Sequence, residues 1–220
     1  MQKLAILFSN ILDLIFPRQC IGCHAPRTLF CAECLAKVPS APPAEHSFIR
    51  AVLDYRHPSI RRAVWRFKYE NMRGFAEVFS EKLYEEILGD LGDNLSGASS
   101  ETFLLIPIPL HKKRQRERGY NQSELLVRNI ITLDHSKIFE YAPDLLVRTR
   151  ATAPQARSEK RAARLANLRG SFVCADPARV RGRTVVLIDD VTTTGATFLE
   201  AKRALLVAKP REVLAFAVAH

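Results

Sequence analysis

The 220-residue sequence has no apolar run long enough to cross a membrane. The nearest candidate, residues 4–16, is interrupted by Ser9, Asn10 and Asp13 and falls well short of the ~20 residues that a span requires. No cleavage site of the A-x-A kind follows it, which argues against a signal peptide. Its apolar residues recur at helical spacing and predict an amphipathic helix, packed on the protein or lying on a membrane surface. We expect a cytoplasmic protein without a membrane span.

Aromatic residues are also scarce, at 8% of the sequence with a single Trp. Few of them lie near the basic segments, which limits the candidates for stacking on nucleobases. Tyr120 is the first candidate and Trp65, Phe67 and Tyr69 come next, with core packing as the competing explanation for each. No carboxylate or histidine stands out as a base for an acceptor substrate, which is the main argument against catalysis.

Acidic residues are outnumbered, since 33 Lys and Arg against 23 Asp and Glu give a net charge of +10. This balance favours polyanionic partners, either phosphorylated metabolites or nucleic acid, although a merely basic surface would look the same. The charge is concentrated in two segments, His111 to Arg118 and Arg148 to Arg169. In the second, Arg161 and Arg164 are three residues apart on a predicted helix and could serve a phosphate or DNA.

Strand and helix patterns alternate along most of the chain and predict an α/β fold, with a mainly parallel sheet and helices on both faces. We expect residues 1–46 to form an N-terminal helix and cysteine module, and residues 47–220 to form the main domain, divided into 47–100 and 102–220. Strands are predicted at 48–55, 103–108, 144–147, 171–174, 184–188 and 213–218. Helices are predicted at 59–69, 74–88, 122–131, 159–168 and 196–207, and a loop at 89–100.

Four of the five cysteines form two Cys-x2-Cys pairs: Cys20, Cys23, Cys31 and Cys34. Each pair can present two thiolates to one ion, so the spacing predicts a structural Zn²⁺ site. A redox role is the alternative, and His24 is a spare candidate ligand. Cys174 lies on an apolar strand and is interpreted as a core residue.

The run from Val185 to Ile188 is apolar and β-branched, as in a central strand buried on both faces, and it ends in Asp189 and Asp190. The next residues are small and rich in hydroxyls before a helix: Val191, Thr192, Thr193, Thr194, Gly195, Ala196 and Thr197. Backbone N–H groups at such a helix start attract a phosphate, and the carboxylates would accept hydrogen bonds from a diol. Together they predict a ribose 5-phosphate site. The alternative is that the Asp pair caps the helix and the threonines form an ordinary turn.

The sequence IDDVTTTGAT resembles the 5-phosphoribosyl 1-pyrophosphate (PRPP) loop of type I phosphoribosyltransferases. Further segments make nearly the whole chain resemble the ComF family: the cysteine pairs, FKY at 67–69, PIPL at 107–110, RERGYNQ at 116–122, and the 148–172 segment with Thr152, Gln155, Arg161 and Asn167. The resemblance implies a type I phosphoribosyltransferase-like fold behind a zinc module. It also implies a role in natural competence, handling incoming single-stranded DNA during uptake, with a helicase as a partner.

Transfer from PRPP would require Mg²⁺ and cationic donors at the pyrophosphate, with Asp189 and Asp190 as the catalytic candidates. The family fold places its pyrophosphate loop after the strand that ends near Pro107, so His111 and Lys112 are predicted ligand contacts, with Lys113 and Arg114 nearby. Solvated loop charges are the alternative for these residues. Residues 148–157 occupy the position of a mobile lid. Candidate DNA contacts are Arg116, Arg118, Tyr120, Arg161 and Arg164. A metabolic transferase with an unidentified acceptor and a PRPP sensor without chemistry remain alternatives.

Overall fold

The computed structural model describes residues 18–95, 102–149 and 170–220. The strands are β1 (Ile49–Leu53), β2 (Phe103–Pro107), β3 (Phe139–Tyr141), β4 (Leu146–Arg148), β5 (Phe172–Cys174), β6 (Thr184–Val191) and β7 (Glu212–Ala219). The helices are α1 (Ala32–Ala36), α2 (Pro58–Tyr69), α3 (Phe75–Leu95), α4 (Lys112–Arg118), α5 (Gln122–Leu133), α6 (Pro177–Val180) and α7 (Ala196–Leu206). The predicted helices at 4–16 and 159–168, most of the 148–157 segment, and Arg161 and Arg164 lie outside the described residues.

Five strands form one parallel sheet in the order β1-β7-β6-β2-β3. The side chains of β6 alternate between the two faces of this sheet. Val186 and Ile188 join a core with α2, α3 and α5, whereas Val185 and Leu187 join a core with α7. All four are fully buried, as expected for a central strand covered on both faces. The predicted α/β class, with a mainly parallel sheet and helices on both faces, is confirmed.

The cysteine module shares a core with the body of the protein. Ile21, Leu29 and Phe30 belong to the same buried cluster as residues of α2 and α3. A Cβ placed on Gly74 would lie 2.8 Å from Cδ1 of Leu29, so the module packs closely against the start of α3. Folding of the module and of this face of the sheet is therefore coupled through shared apolar burial.

The predicted loop at 89–100 is wrong for its first part, because α3 continues to Leu95. Gly89 and Gly92 suggested a loop, yet buried side chains recur every four residues at Leu83, Ile87 and Leu91. Burial of this apolar stripe stabilises the helix by more than the two glycines destabilise it, which is roughly 1 kcal/mol for each glycine. Tertiary packing thus overrides local propensity.

Three further elements differ from the sequence patterns. The strand predicted at 144–147 begins at Leu146, and it pairs antiparallel with β5 in a separate two-stranded sheet. The basic segment after His111, which was interpreted as a loop, forms helix α4. The edge strand β3 was not predicted, since its three residues are too few to show a period. Among the described helices, none combines the length and the hydropathy of a membrane span.

Candidate functional site

Two adjacent carboxylates lie at the carboxyl end of β6, at the edge of the sheet where ligands of α/β proteins bind. Asp189 accepts a hydrogen bond from the hydroxyl of Ser123 at 2.8 Å. Asp190 is buried and forms an ion pair with Lys68, with 2.9 Å between Nζ and Oδ1. Each ionised carboxylate offers about four acceptor positions, so capacity remains for a ligand's hydroxyl groups.

The surroundings of Asp189 disfavour its ionised form. Desolvation and, second, the charge of Asp190 raise the pKa of Asp189 to about 7, against the opposing effects of Ser123 and Lys68. A carboxylate in this condition gains from any hydrogen-bond donor or cation that stabilises its ionised form. Groups with perturbed pKa values cluster at functional sites, because a ligand can supply interactions that the protein alone does not.

The Asp pair does not cap the helix that follows it. The N-cap of α7 is Gly195, and no side-chain hydrogen bond caps this helix. Asp189 and Asp190 instead remain within β6, where Asp189 is in register with Ala217 of β7. The capping alternative is therefore wrong. The first N–H groups of α7 lack intrahelical acceptors and are available to an anion.

The segment between β6 and α7 forms a tight loop. Thr192 is buried and its N–H donates to the carbonyl of Ala219, while the ring Nε2 of His220 lies 3.0 Å from the carbonyl oxygen of Thr193. A cavity of about 270 Å³ adjoins the loop. It is lined by Thr192, Thr193, Thr194, Gly195, His46, His220, Ile49 and residues 43–45. A cavity of this size accommodates a phosphorylated group rather than a large cofactor.

Gly195 is required at its position by backbone conformation and by space. Its φ is +71°, and a Cβ there would lie 2.7 Å from Cδ1 of the buried Ile49. We expect Gly195→Ala to lower the melting temperature more than Gly182→Ala does. The matched control has a φ of +70° with open space around it.

Both substitutions carry the left-handed penalty of roughly 1–2 kcal/mol. Overpacking against Ile49 adds about 1 kcal/mol or more at residue 195 only, and each kcal/mol corresponds to roughly 2–4 °C in a chain of this size. Differential scanning calorimetry measures both variants. Equal shifts would show that Ile49 moves aside at no cost and that the loop is loosely packed.

Arg114 of α4 and Arg148 at the end of β4 carry positive charges that interact with each other. Burial and, second, the charge of Arg114 lower the pKa of Arg148, while Asp189 acts in the opposite direction. The guanidinium of Arg148 also lies over the ring of Phe172, 5.2 Å from its centroid. The charge of Arg148 is thus opposed by Arg114 and stabilised by Asp189. Two cations whose charges interact favour an anionic ligand.

The predicted contacts His111 and Lys112 lie on the connection from β2 to α4, beside the same end of the sheet. The N–H of Ile108 donates to the carbonyl of Ile188, which places this connection next to the last residues of β6. His111 is half-buried, and Lys112 begins α4. The structure thus brings Ile108, within the PIPL segment, next to the residue that precedes the Asp pair.

Lys68 and Ser123 are the site residues that sequence reasoning missed. Lys68 lies in FKY, a segment recognised by resemblance, and Ser123 directly follows the RERGYNQ segment. Neither spacing nor residue type connects them to Asp189 and Asp190, because the chain between them is long and the contact exists only after folding. A charged residue on a helix between buried Phe67 and exposed Tyr69 was the one available signal.

The RERGYNQ segment joins these parts. The side chain of Asn121 caps α5 by accepting from the N–H of Ser123 at 3.2 Å, and it donates to the carbonyl of Ile108 at 3.1 Å. Tyr120 is half-buried and donates its hydroxyl to the carbonyl of Phe67, with Arg73 over its ring at 4.7 Å. Arg116 is exposed, whereas Arg118 contacts Gln122 and Tyr69.

The four module cysteines form a compact cluster. Their sulfurs all lie within 4.8 Å of one another, with 3.6 Å from Cys20 to Cys31 and 3.7 Å from Cys23 to Cys31. Tetrahedral coordination at the usual Zn–S distance of ~2.3 Å places sulfurs about 3.8 Å apart, so the spacing fits an ion. His24 is exposed and is not a member of the cluster. The prediction that these cysteines meet is confirmed.

The thiols resist ionising together without a cation. Burial opposes ionisation of Cys20, yet backbone N–H groups of Cys31, Cys23 and Gly22 lower its pKa to about 6 overall. Hydrogen bonds that the Cys34 thiol donates to Cys23 and Cys31, together with burial and the charge of Cys20, raise the pKa of Cys34 to about 12. A divalent ion would remove this conflict, because thiolates are its ligands. Cys174 is a buried core residue.

Comparison with known proteins places these features in context. No family model matches the chain. The DNA utilization protein YhgH of Escherichia coli K12 is 33% identical over 199 residues, covering 85% of this chain and 77% of the relative. The competence protein ComFC of Bacillus subtilis is 30% identical over 158 residues, covering 71% of this chain and 57% of the relative.

Solved structures similar to the chain include a hypoxanthine phosphoribosyl transferase of Trypanosoma cruzi. It has a TM-score of 0.42 and 11% identity, with 64% of this chain and 63% of that chain covered. A second is the HGPRT-ase from Leishmania tarentolae in complex with GMP, with a TM-score of 0.34 and 15% identity, covering 64% of each chain.

Proposed function

The chain belongs to the ComF family, together with the DNA utilization protein YhgH and the competence protein ComFC, and we propose that it binds PRPP at the carboxyl end of β6. Asp189 and Asp190 accept hydrogen bonds from the ribose hydroxyls. The loop from Val191 to Thr197 holds the 5-phosphate, with His111 and Lys112 beside the pyrophosphate.

One observation carries the proposal, the meeting of an acidic pair with an anion-attracting loop. Alone, Asp189 and Asp190 are two like charges, and burial together with the charge of Asp190 raises the pKa of Asp189. The start of α7 alone does not identify a ligand, because every helix has such an end. Together they fit a ligand that carries hydroxyl donors next to a phosphate. The basic surroundings of Arg114 and Arg148 supply charge for a more anionic ligand than ribose 5-phosphate.

Metal ions have two separate roles in this proposal. Mg²⁺ enters with PRPP and neutralises part of the pyrophosphate charge, as hard cations do with phosphates. Zn²⁺ occupies the four-cysteine cluster, where a closed set of thiolates has a structural function and leaves no position for substrate. The cluster shares its core with α2, which carries Lys68, so zinc supports the geometry of the PRPP site indirectly.

The biological role proposed is the handling of single-stranded DNA in the cytoplasm during natural competence. The names of the relatives, DNA utilization protein and competence protein, support a role with DNA. The net charge of +10 is suited to a polyanion. A helicase partner is proposed on the family resemblance only. A phosphoribosyl transfer reaction would in addition require an acceptor and a base, and the described residues include none that stands out for that task.

Isothermal titration calorimetry of the full chain tests the PRPP site. We expect PRPP with Mg²⁺ to bind in the micromolar range, typical of metabolites. Ribose 5-phosphate should compete, because it carries both the diol and the 5-phosphate, whereas inorganic pyrophosphate should compete far less. Pyrophosphate competing better than ribose 5-phosphate would place recognition on the cations instead of on Asp189 and Asp190. Absence of binding would contradict the proposal.

A further inference from the structure

Helix α2 exposes a stripe of aromatic and cationic side chains. Arg62, Trp65 and Tyr69 follow one another at intervals of three and four residues, which places them on one face of the helix. Trp65 is 52% exposed and Tyr69 is 61% exposed. Their rings are 5.9 Å apart between centroids. Exposure of two large neighbouring rings is uncommon on a surface that contacts only water, and it indicates a binding site.

The charge around these rings is mostly positive. Helix α2 contains Arg61, Arg62, Arg66 and Lys68 and no acidic residue. Arg118 of α4 adds a guanidinium 5.0 Å from the centroid of the Tyr69 ring, and it donates to the Tyr69 hydroxyl at 3.3 Å. The nearest acid, Glu70, is paired with Arg66. An apolar protein partner would be a poor match for this surface, whereas a polyanion with flat apolar groups matches it well.

The helix that carries the stripe is packed into the core by its buried face. Ile60, Val64 and Phe67 of α2 are buried in the core, and the Tyr120 hydroxyl binds the carbonyl of Phe67. A ligand that stacks on the exposed rings therefore meets a platform already in position, and little conformational entropy is lost. The same helix also carries Lys68, which is paired with Asp190.

We propose that the Trp65–Tyr69 stripe binds the unpaired bases of single-stranded DNA by stacking, while Arg62 and Arg118 contact its phosphates. This inference rests on the DNA role proposed above and assigns it a surface. A single strand is the occupant because its bases present open faces, which those inside a duplex do not. The same helix carries the stripe and Lys68, so it connects this surface with the proposed PRPP site.

Fluorescence provides a direct test, because Trp65 is the only tryptophan in the sequence. Addition of a thymidine 20-mer to the full chain should quench its emission, and an abasic oligonucleotide with the same phosphates should not. Fluorescence anisotropy of the labelled 20-mer gives the affinity at fixed ionic strength. Tyr69→Ala should weaken binding about tenfold or more, and Tyr69→Phe, which retains the ring, should restore most of it.

Leu206→Ala is the matched control, since Leu206 is similarly exposed on α7. It should bind DNA like the wild type, and zinc content with thermal melting checks that every variant is folded. Wild-type DNA binding that Tyr69→Ala leaves unchanged would overturn the inference and leave the DNA role standing. Absence of binding by the wild type would overturn both, while PRPP titration decides the other site independently. Equal quenching by the abasic strand would also exclude stacking.

Discussion

Replacing Asp189 and Asp190 together with asparagine should reduce the affinity for PRPP and Mg²⁺ at least about 100-fold. Each carboxylate accepts a charge-assisted hydrogen bond from a ribose hydroxyl in the proposed complex, worth roughly 1.5–3 kcal/mol. Loss of two such bonds corresponds to about 3–6 kcal/mol, and every 1.4 kcal/mol is roughly a factor of ten. Calorimetric titration of wild type and variant under identical conditions measures the difference.

Asp144→Asn is the control for this experiment, because Asp144 is an exposed carboxylate paired with Arg179 and lies away from the loop. It should bind PRPP with wild-type affinity. If the double variant also binds with wild-type affinity, the carboxylates do not contact the ligand and the site must lie elsewhere. A loss in the control as well would show that general charge, and not the acidic pair, governs binding.

The single variant Asp189→Asn should change how the stability of the folded chain depends on pH. The pKa of Asp189 is raised to about 7 in the folded chain, whereas aspartates in unfolded chains titrate near 3.9. The folded state therefore holds more protons between about pH 4 and 7, and the contribution of Asp189 to the free energy of unfolding falls as pH rises through this window. The variant lacks this contribution. Its stability relative to wild type should increase from pH 4 to pH 7, as thermal melting can show.

Substitution of Cys20 by serine should remove the metal and destabilise the protein by about 3 kcal/mol or more. Cys20 is completely buried, and its sulfur accepts from the N–H groups of Gly22 and Cys31. A hydroxyl in its place binds zinc poorly, and metal binding free energy is folding free energy in such sites. The melting temperature should fall by roughly 6–12 °C, at about 2–4 °C per kcal/mol for a chain of this size.

Zinc content by elemental analysis is the deciding measurement, with Cys174→Ser as the control. Cys174 is also buried, but it lies on β5 and outside the cluster. It should keep one equivalent of zinc even if it loses some stability. Full zinc occupancy in Cys20→Ser would remove Cys20 from the ligand set. Loss of zinc without any thermal effect would mean that the module contributes little to the shared core.

The sequence was most informative where the chemistry is local. The central strand, the Asp pair at its end and the helix start after Gly195 are consecutive, so order and residue type predict them directly. The two Cys-x2-Cys pairs are similarly compact, and short turns bring each pair together whatever the rest of the chain does. Most strands of the sheet, and most helices that pack on it, also follow from periodic patterns, with boundaries within a few residues.

Only the fold connected distant residues. Lys68 and Ser123 reach Asp189 and Asp190 from α2 and α5, and no pattern along the chain predicts those contacts. The aromatic residues give a similar example. Phe67 is buried and Tyr120 is bound to a backbone carbonyl, while Trp65 and Tyr69 are exposed. From the sequence, core packing was favoured for each of them, with surface stacking as the alternative.

By itself, the sequence determined the fold class, the strand–loop–helix order around Gly195 and the cysteine cluster, because each depends on short-range spacing or on a period that burial imposes. The tertiary structure decided how far α3 extends, which carboxylate has a raised pKa, and which rings face solvent. These properties depend on burial and on charges from other elements, and both arise only when segments far apart in the chain pack together.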